Sequence, residues 1–148
     1  MMQDIRLFTI GFTKKNAKTF FTKLRSSGVK KLIDIRLNNV SQLAGFAKRD
    51  DLKYFLQELC NCEYRHEPLL APTKAILDGY KNKKISWNEY ENEFNKLLKT
   101  RNAHTLVSIE ELNNACLLCS EPTPERCHRR LVAEHLKIKN RNIIIIHL

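Results

Sequence analysis

Between Cys119 and Leu131 the chain reads Cys-Ser-Glu-Pro-Thr-Pro-Glu-Arg-Cys-His-Arg-Arg-Leu. This segment gathers two thiols (Cys119, Cys127), two carboxylates (Glu121, Glu125), an imidazole (His128) and three guanidiniums (Arg126, Arg129, Arg130). An apolar run ends at Cys119 and helical spacing begins near Thr123 and Pro124, a favoured pair for starting a helix. The cluster therefore falls on a strand-to-helix junction, where open α/β sheets place ligands. The positive end of such a helix, with arginines beside it, favours a thiolate or a bound phosphate. An unperturbed histidine titrates where a general acid or base is useful. Glu121 suits a base or a contact to a ribose hydroxyl.

The spacing leaves three readings of the cysteines open. A phosphate-cradling Cys-x5-Arg loop at Cys119 conflicts with Arg126 standing one position too far, and with prolines and carboxylates where amide donors are needed. A zinc set of Cys116, Cys119, Cys127 and His128 has the right ligand types. Cys116 and Cys119, however, lie three apart on a strand and so face opposite ways. The residues therefore call for no metal and no cofactor. Third, Cys119 and Cys127 pack as small apolar groups, which leaves His128 and the arginines without a role. Cys60 and Cys62 read as packing.

Two other strand ends carry polar groups. Gly11 and Thr13 follow an apolar run, where a tight turn and helix amides suit an anion. Asp34 and Arg36 share one face of the next strand by the period of two. A carboxylate among aliphatics is costly to bury unpaired, so the two read either as a structural ion pair or as ligand-orienting groups.

The elements that must position these residues follow from periodicity. Residues 6–12 and 31–36 read as strands. A helix over 14–26 lies between them, capped by Thr13 and stopped at Gly28. That order implies a parallel strand pair with a right-handed crossover. The long connection over 37–49 precedes a helix capped by Asp50, then a short strand over 62–66. Helices over 73–81 and 86–100 read as an insertion or lid, the second with a Ser86–Glu89 capping box. Residues 108–113 form one more helical turn, with Ser108 and Glu111 at the same spacing. A strand over 114–119 leads into the helix from about 123 to 139. The aliphatic run over 143–148 reads as a strand buried on both faces. The expected architecture is one three-layer α/β domain over 1–148, with a mostly parallel sheet of about five strands and a helical insertion.

At 148 residues the chain fits a single core. No apolar run reaches the roughly 18 residues of a membrane span. The start of the chain lacks the pattern of a secretion signal, so a cytoplasmic protein with reduced thiols is expected, and the odd count of five cysteines agrees. The net charge of +10 suits a polyanionic partner, nucleic acid or a phosphorylated small molecule, although the lysines are spread along the whole chain. Oligomeric state is not readable from these features.

With Asp34-x-Arg36, Leu117-Leu-Cys119-Ser-Glu121 and Cys127-His128-Arg129-Arg-Leu131 in view, the chain resembles the domain-of-unknown-function family 488 over nearly its full length. Ser41-Gln-Leu-Ala-Gly-Phe46 and Leu70-Ala-Pro72-Thr-Lys74 are similar to one subgroup. The resemblance implies a compact three-layer α/β domain and supplies no reaction. It also marks a departure: members usually read Ile-Gly-His-Ser where this chain has Ile10-Gly11-Phe12-Thr13. The strand Leu32-Ile-Asp34-Ile-Arg36 is also similar to a strand of rhodanese domains, with Cys119 at a later strand end.

The leading expectation is an enzyme acting on a phosphate-bearing ligand, a nucleotide or nucleic acid, at strand C-terminal ends. Asp34, Cys119, Glu121, Cys127 and His128 would do the chemistry. Gly11, Thr13, Arg36, Arg126, Arg129 and Arg130 would hold the anion, although one helix cannot aim all of its arginines inward. The alternatives are a non-catalytic nucleic-acid-binding module and a rhodanese-like cysteine-dependent transferase.

Overall fold

A computed structural model describes residues 3–40, 45–121 and 124–148. Five strands, β1 (Ile5–Gly11), β2 (Lys31–Asp34), β3 (Glu63–His66), β4 (Ala115–Cys119) and β5 (Ile143–His147), form one sheet in the order β3-β2-β4-β1-β5. Every neighbouring pair is parallel. Parallel strands cannot be joined by tight hairpins and need crossovers. Among the described residues these contain α1 (Ala17–Ser27), α2 (Arg49–Cys60), α3 (Lys74–Lys81), α4 (Trp87–Thr100), α5 (Ile109–Leu112) and α6 (His128–Lys139).

The helices make two outer layers. Phe20, Phe21 and Leu24 of α1 and Leu52 and Leu56 of α2 pack on Phe8, Ile10, Leu32, Cys116 and Leu118. On the other face, Tyr90, Phe94 and Leu98 of α4 and Leu131, Val132 and Leu136 of α6 pack on Leu7, Ile33, Ile35 and Leu117. The alternation along β4 follows from the strand period. It puts Cys116 in the α1–α2 layer, and all five residues of β4 are buried. A central parallel strand covered on both sides is expected to be apolar throughout.

Sequence order and spatial order differ at the centre. The chain leaves β1 for β2, yet β4 lies between them, so β1 and β2 are parallel but not paired. From β1 the chain turns towards β2, and from β4 it turns the other way, towards β5. The switch point is therefore between β1 and β4, the position that opens a crevice at the strand C-terminal ends.

Other boundaries move for local reasons. Asn16, not Thr13, caps α1, accepting from the Thr19 amide at 2.8 Å. Gly28 ends α1 at φ 75°, the left-handed conformation that suits glycine. The helix expected from Asp50 starts at Arg49. The Ser86–Glu89 capping box is present, and Ser108 accepts from the Glu111 amide. Of the two helices expected as an insertion or lid, α4 supplies core through Tyr90, Phe94 and Leu98. The helix expected from Thr123 begins at His128, and Thr123 lies outside the described residues. At the sheet edge, β5 has Ile143 buried but Ile144 exposed, so its aliphatic run is not buried on both faces.

Among the described residues no helix is long and apolar enough to cross a membrane.

Candidate functional site

The C-terminal ends of three strands are tied together beyond the sheet. The Ile35 amide donates to the Leu118 carbonyl at 3.1 Å, and the Thr13 amide donates to the Ser120 carbonyl at 3.1 Å. Thr13 donates to the same Ser120 carbonyl through its hydroxyl. His128, the first residue of α6, donates from Nε2 to the Ile35 carbonyl at 2.7 Å. The ends of β1, β2 and β4 and the start of α6 thus form one rim.

Over that rim lies a hollow of about 700 Å³, lined by Arg36, Ser120, Glu121 and His128 and by one side of α3. The α3 residues Lys74, Leu77, Asp78 and Lys81 fall at i, i+3, i+4 and i+7, a single helical face. Tyr80 stands beside them. Lys74 reaches Asp78 at 2.5 Å, whereas Lys81 is exposed on the last turn. Three of the residues expected to converge (Arg36, Glu121, His128) do meet here, although they are far apart along the chain. A second hollow, of about 250 Å³, lies between α1 and α2 against Phe21, Phe55 and Leu59 and gathers no comparable chemistry.

Asp34 does not line the hollow. It is fully buried, and Arg36 closes on it with a fork, Nε to Oδ1 and Nη2 to Oδ2, both at 2.8 Å. The Tyr64 hydroxyl donates to Oδ2 at 2.6 Å, and Asn39 donates to that hydroxyl at 3.1 Å. Burial first, and then the Asp34 bond, raise the Tyr64 pKa above the usual phenol value. Asp34 is therefore the anchor of a buried network that fixes the end of β2. Arg36 has its charge matched while one side still borders the hollow. Phe12 sits under the Arg36 guanidinium, 5.3 Å from ring centre to cation. Tyr64 and Asn39 were not identified from the sequence; the parallel register of Leu32 with Tyr64 is what brings the phenol alongside.

Gly11 has a steric role. A Cβ there would stand 1.6 Å from the Glu121 carbonyl oxygen and 2.4 Å from Arg129 Nη1. The missing side chain lets the loop after β4 and the fully buried Arg129 close over the end of β1. Arg129 Nη1 donates to that carbonyl and lies 3.5 Å from Cys119 Sγ. Arg130 turns away, pairing with Glu134 and with Glu91 on α4. Arg126 is exposed on the loop. Cys119 and Cys127 are joined as a disulfide, which corrects the expectation of thiols reduced throughout. The sheet end and the helix start bring the two sulfurs together, a proximity that cysteine counting does not reveal.

Burial pushes the His128 pKa down to about 4 from its ordinary 6.5. The ring is thus neutral at pH 7, with Nε2 committed to Ile35 and Nδ1 left as an acceptor. Because the folded pKa is depressed, the unfolded chain binds the proton first as pH falls. Stability from this group is full above about pH 6.5 and is lost as pH drops towards 4. Burial shifts His135 and His147 in the same direction. Urea denaturation at pH 7 and 4.5 is expected to show wild type losing about 2 kcal/mol that His128→Gln does not lose. An identical pH dependence in the variant would contradict this environment.

A search of curated proteins and of solved structures finds no match to the chain. The family model described as "Domain of unknown function DUF488" matches residues 16–136, from the α1 cap through most of α6. That span takes in three of the five strands, β2, β3 and β4, and every lining residue of the larger hollow, and the chain belongs to this family.

Proposed function

We propose that the hollow between α3 and the ends of β2 and β4 is the site of a protein acting on a phosphate-bearing ligand of nucleotide size. The observation that carries this reading is the convergence of Arg36, Glu121 and His128 with the Lys74–Lys81 face of α3. Its volume of about 700 Å³ falls in the ordinary range for small-molecule sites. Lys81 and Lys74 supply cations for phosphate oxygens. Glu121 and Asp78 suit sugar hydroxyls, and Tyr80 offers an aromatic surface for a base. The neutral His128 accepts a ligand hydrogen bond at Nδ1; its depressed pKa makes it a positioning group more than a proton carrier at pH 7.

Thermal melting against a panel of nucleoside mono-, di- and triphosphates tests this. A ligand at a hundred times its dissociation constant adds about 2.7 kcal/mol, which raises Tm by roughly 5–10 °C in a chain of this size. Lys81→Glu is expected to abolish that shift while leaving the unliganded Tm within about 2 °C, since surface changes usually stay within about 0.5 kcal/mol. No shift with any nucleotide at millimolar concentration would sink the reading. A shift seen only with oligonucleotides and falling steeply with salt would replace it with nucleic-acid binding.

A further inference from the structure

The residues that line the hollow after β4, Ser120 and Glu121, stand beside a pair of joined sulfurs. Cys119 ends β4 and Cys127 caps α6, eight residues on, and both are buried. Between them lies Glu121, and directly after them come His128 and Arg129. Arg129 is fully buried, touches Cys119 Sγ through Nη1, and has two buried donors, Nε and Nη2, with no hydrogen-bond partner among the described residues. A buried guanidinium in that state is costly, and what it lacks is an anion. The sulfur it already touches becomes one when the disulfide is reduced and Cys119 loses its proton.

Charges on every side bear on that thiolate. Burial first, and then the charge of nearby Arg129, lower the pKa values of Lys15, on the turn after β1, and of His147 on β5. Lys15 adds positive potential, whereas His147, shifted down from its ordinary 6.5, is neutral at pH 7 and adds none. Glu121 and Glu125 on the loop act in the opposite sense on Arg129. His128 is held neutral. Cys116, on the far face of β4, is kept protonated by burial. The thiolate is therefore favoured at Cys119 and opposed at Cys116. The other sulfur, at Cys127, stands at the positive end of α6, which makes it a good partner thiol.

We propose that Cys119 and Cys127 are a reversible dithiol–disulfide site, with Cys119 as the attacking thiolate, Arg129 as its counter-ion and Cys127 as the resolving thiol. The co-reactant is hydrogen peroxide. Cys119 Sγ attacks one peroxide oxygen, the O–O bond breaks, and a protonated hydroxide leaves as water, giving a sulfenic acid. Cys127 Sγ then attacks Cys119 Sγ and releases the second oxygen as water. Two thiols are oxidised by two electrons and one peroxide is reduced to two waters. Ser120 and Glu121, next to Cys119, line the hollow, so the hollow is the way in. The dithiol chemistry does not depend on a nucleotide in the hollow and is tested without one.

Fully reduced protein is alkylated with iodoacetamide from pH 5 to 9, and each cysteine is followed by peptide mass spectrometry. Cys119 is expected to be half-maximally reactive at least one pH unit below an ordinary thiol, about 8.5. Cys62, whose pKa burial pushes up to about 12, and Cys116 stay unreacted until unfolding. One equivalent of hydrogen peroxide is expected to leave only Cys60, Cys62 and Cys116 alkylatable after denaturation, and a dithiol reductant restores all five. Cys127→Ser keeps the fast thiolate but stops at a sulfenic acid that a 1,3-diketone traps. Arg129→Gln raises the pH of half-reaction; should it not fold, the Cys127→Ser trap decides alone. Cys119 reacting no faster than Cys60 at pH 6, or five alkylatable cysteines surviving peroxide, would overturn the proposal.

Discussion

Gly11→Ala is expected to lose at least about 3 kcal/mol of stability in urea denaturation, more than overpacking usually costs. The added methyl would stand 1.6 Å from the Glu121 carbonyl oxygen and 2.4 Å from the Arg129 guanidinium. The first obstacle is backbone, so no rotamer change relieves it. The second is a buried cation, and moving it strips the hydrogen bond it makes to that carbonyl. The loop after β4 must shift, and Glu121 leaves the hollow with it. A loss under about 1 kcal/mol, smaller than overpacking usually brings, would show that this close approach does not hold in solution.

The second large effect is at Asp34. Asp34→Asn leaves the Arg36 guanidinium, 3% exposed, without its counter-charge. Breaking a buried pair in this way costs about 3–5 kcal/mol, because the remaining charge is uncompensated. Tyr64→Phe removes one charge-assisted bond and is expected to cost less, about 1.5–3 kcal/mol. Replacing Asp34 and Arg36 together by apolar residues is expected to be milder than Asp34→Asn alone, as buried pairs often tolerate such exchange. Chemical denaturation of the three variants checks the ranking. Asp34→Asn at wild-type stability would mean that the carboxylate is not the anchor described.

These two positions also show what a chain can disclose before it is folded. The strand expected over 31–36 ends at Asp34, but Arg36 follows only two residues on, so the pairing of the two is still a local contact. The helix caps at Ser86 and Ser108 and the stop at Gly28 are equally local, and the structure has them. Thr13 fails as a cap because another acceptor, Asn16, lies three residues on and takes the role. Gly11 reads locally as a place for an anion. In the folded chain that space is filled by Arg129 and Glu121, residues more than a hundred positions away.

Non-local placement accounts for most of what the sequence left hidden. The order β3-β2-β4-β1-β5 inserts a late strand between two early ones, and no short-range pattern specifies that. It makes β5 an edge despite its four isoleucines. It also turns α3 towards the strand ends. The i, i+3, i+4, i+7 spacing of Lys74, Leu77, Asp78 and Lys81 was a visible signal for a single working face. Without the sheet order there was no way to know what that face would meet. The Cys119–Cys127 pairing was hidden in the same way.

The most direct measurement is a crystal structure of the protein soaked with a nucleoside diphosphate at saturating concentration. The expected result is density in the hollow, phosphates on Lys74 and Lys81, sugar hydroxyls at Glu121, and His128 still donating to the Ile35 carbonyl. Density settling instead in the groove between α1 and α2, or a hollow that stays empty at saturation, would contradict the assignment of this site.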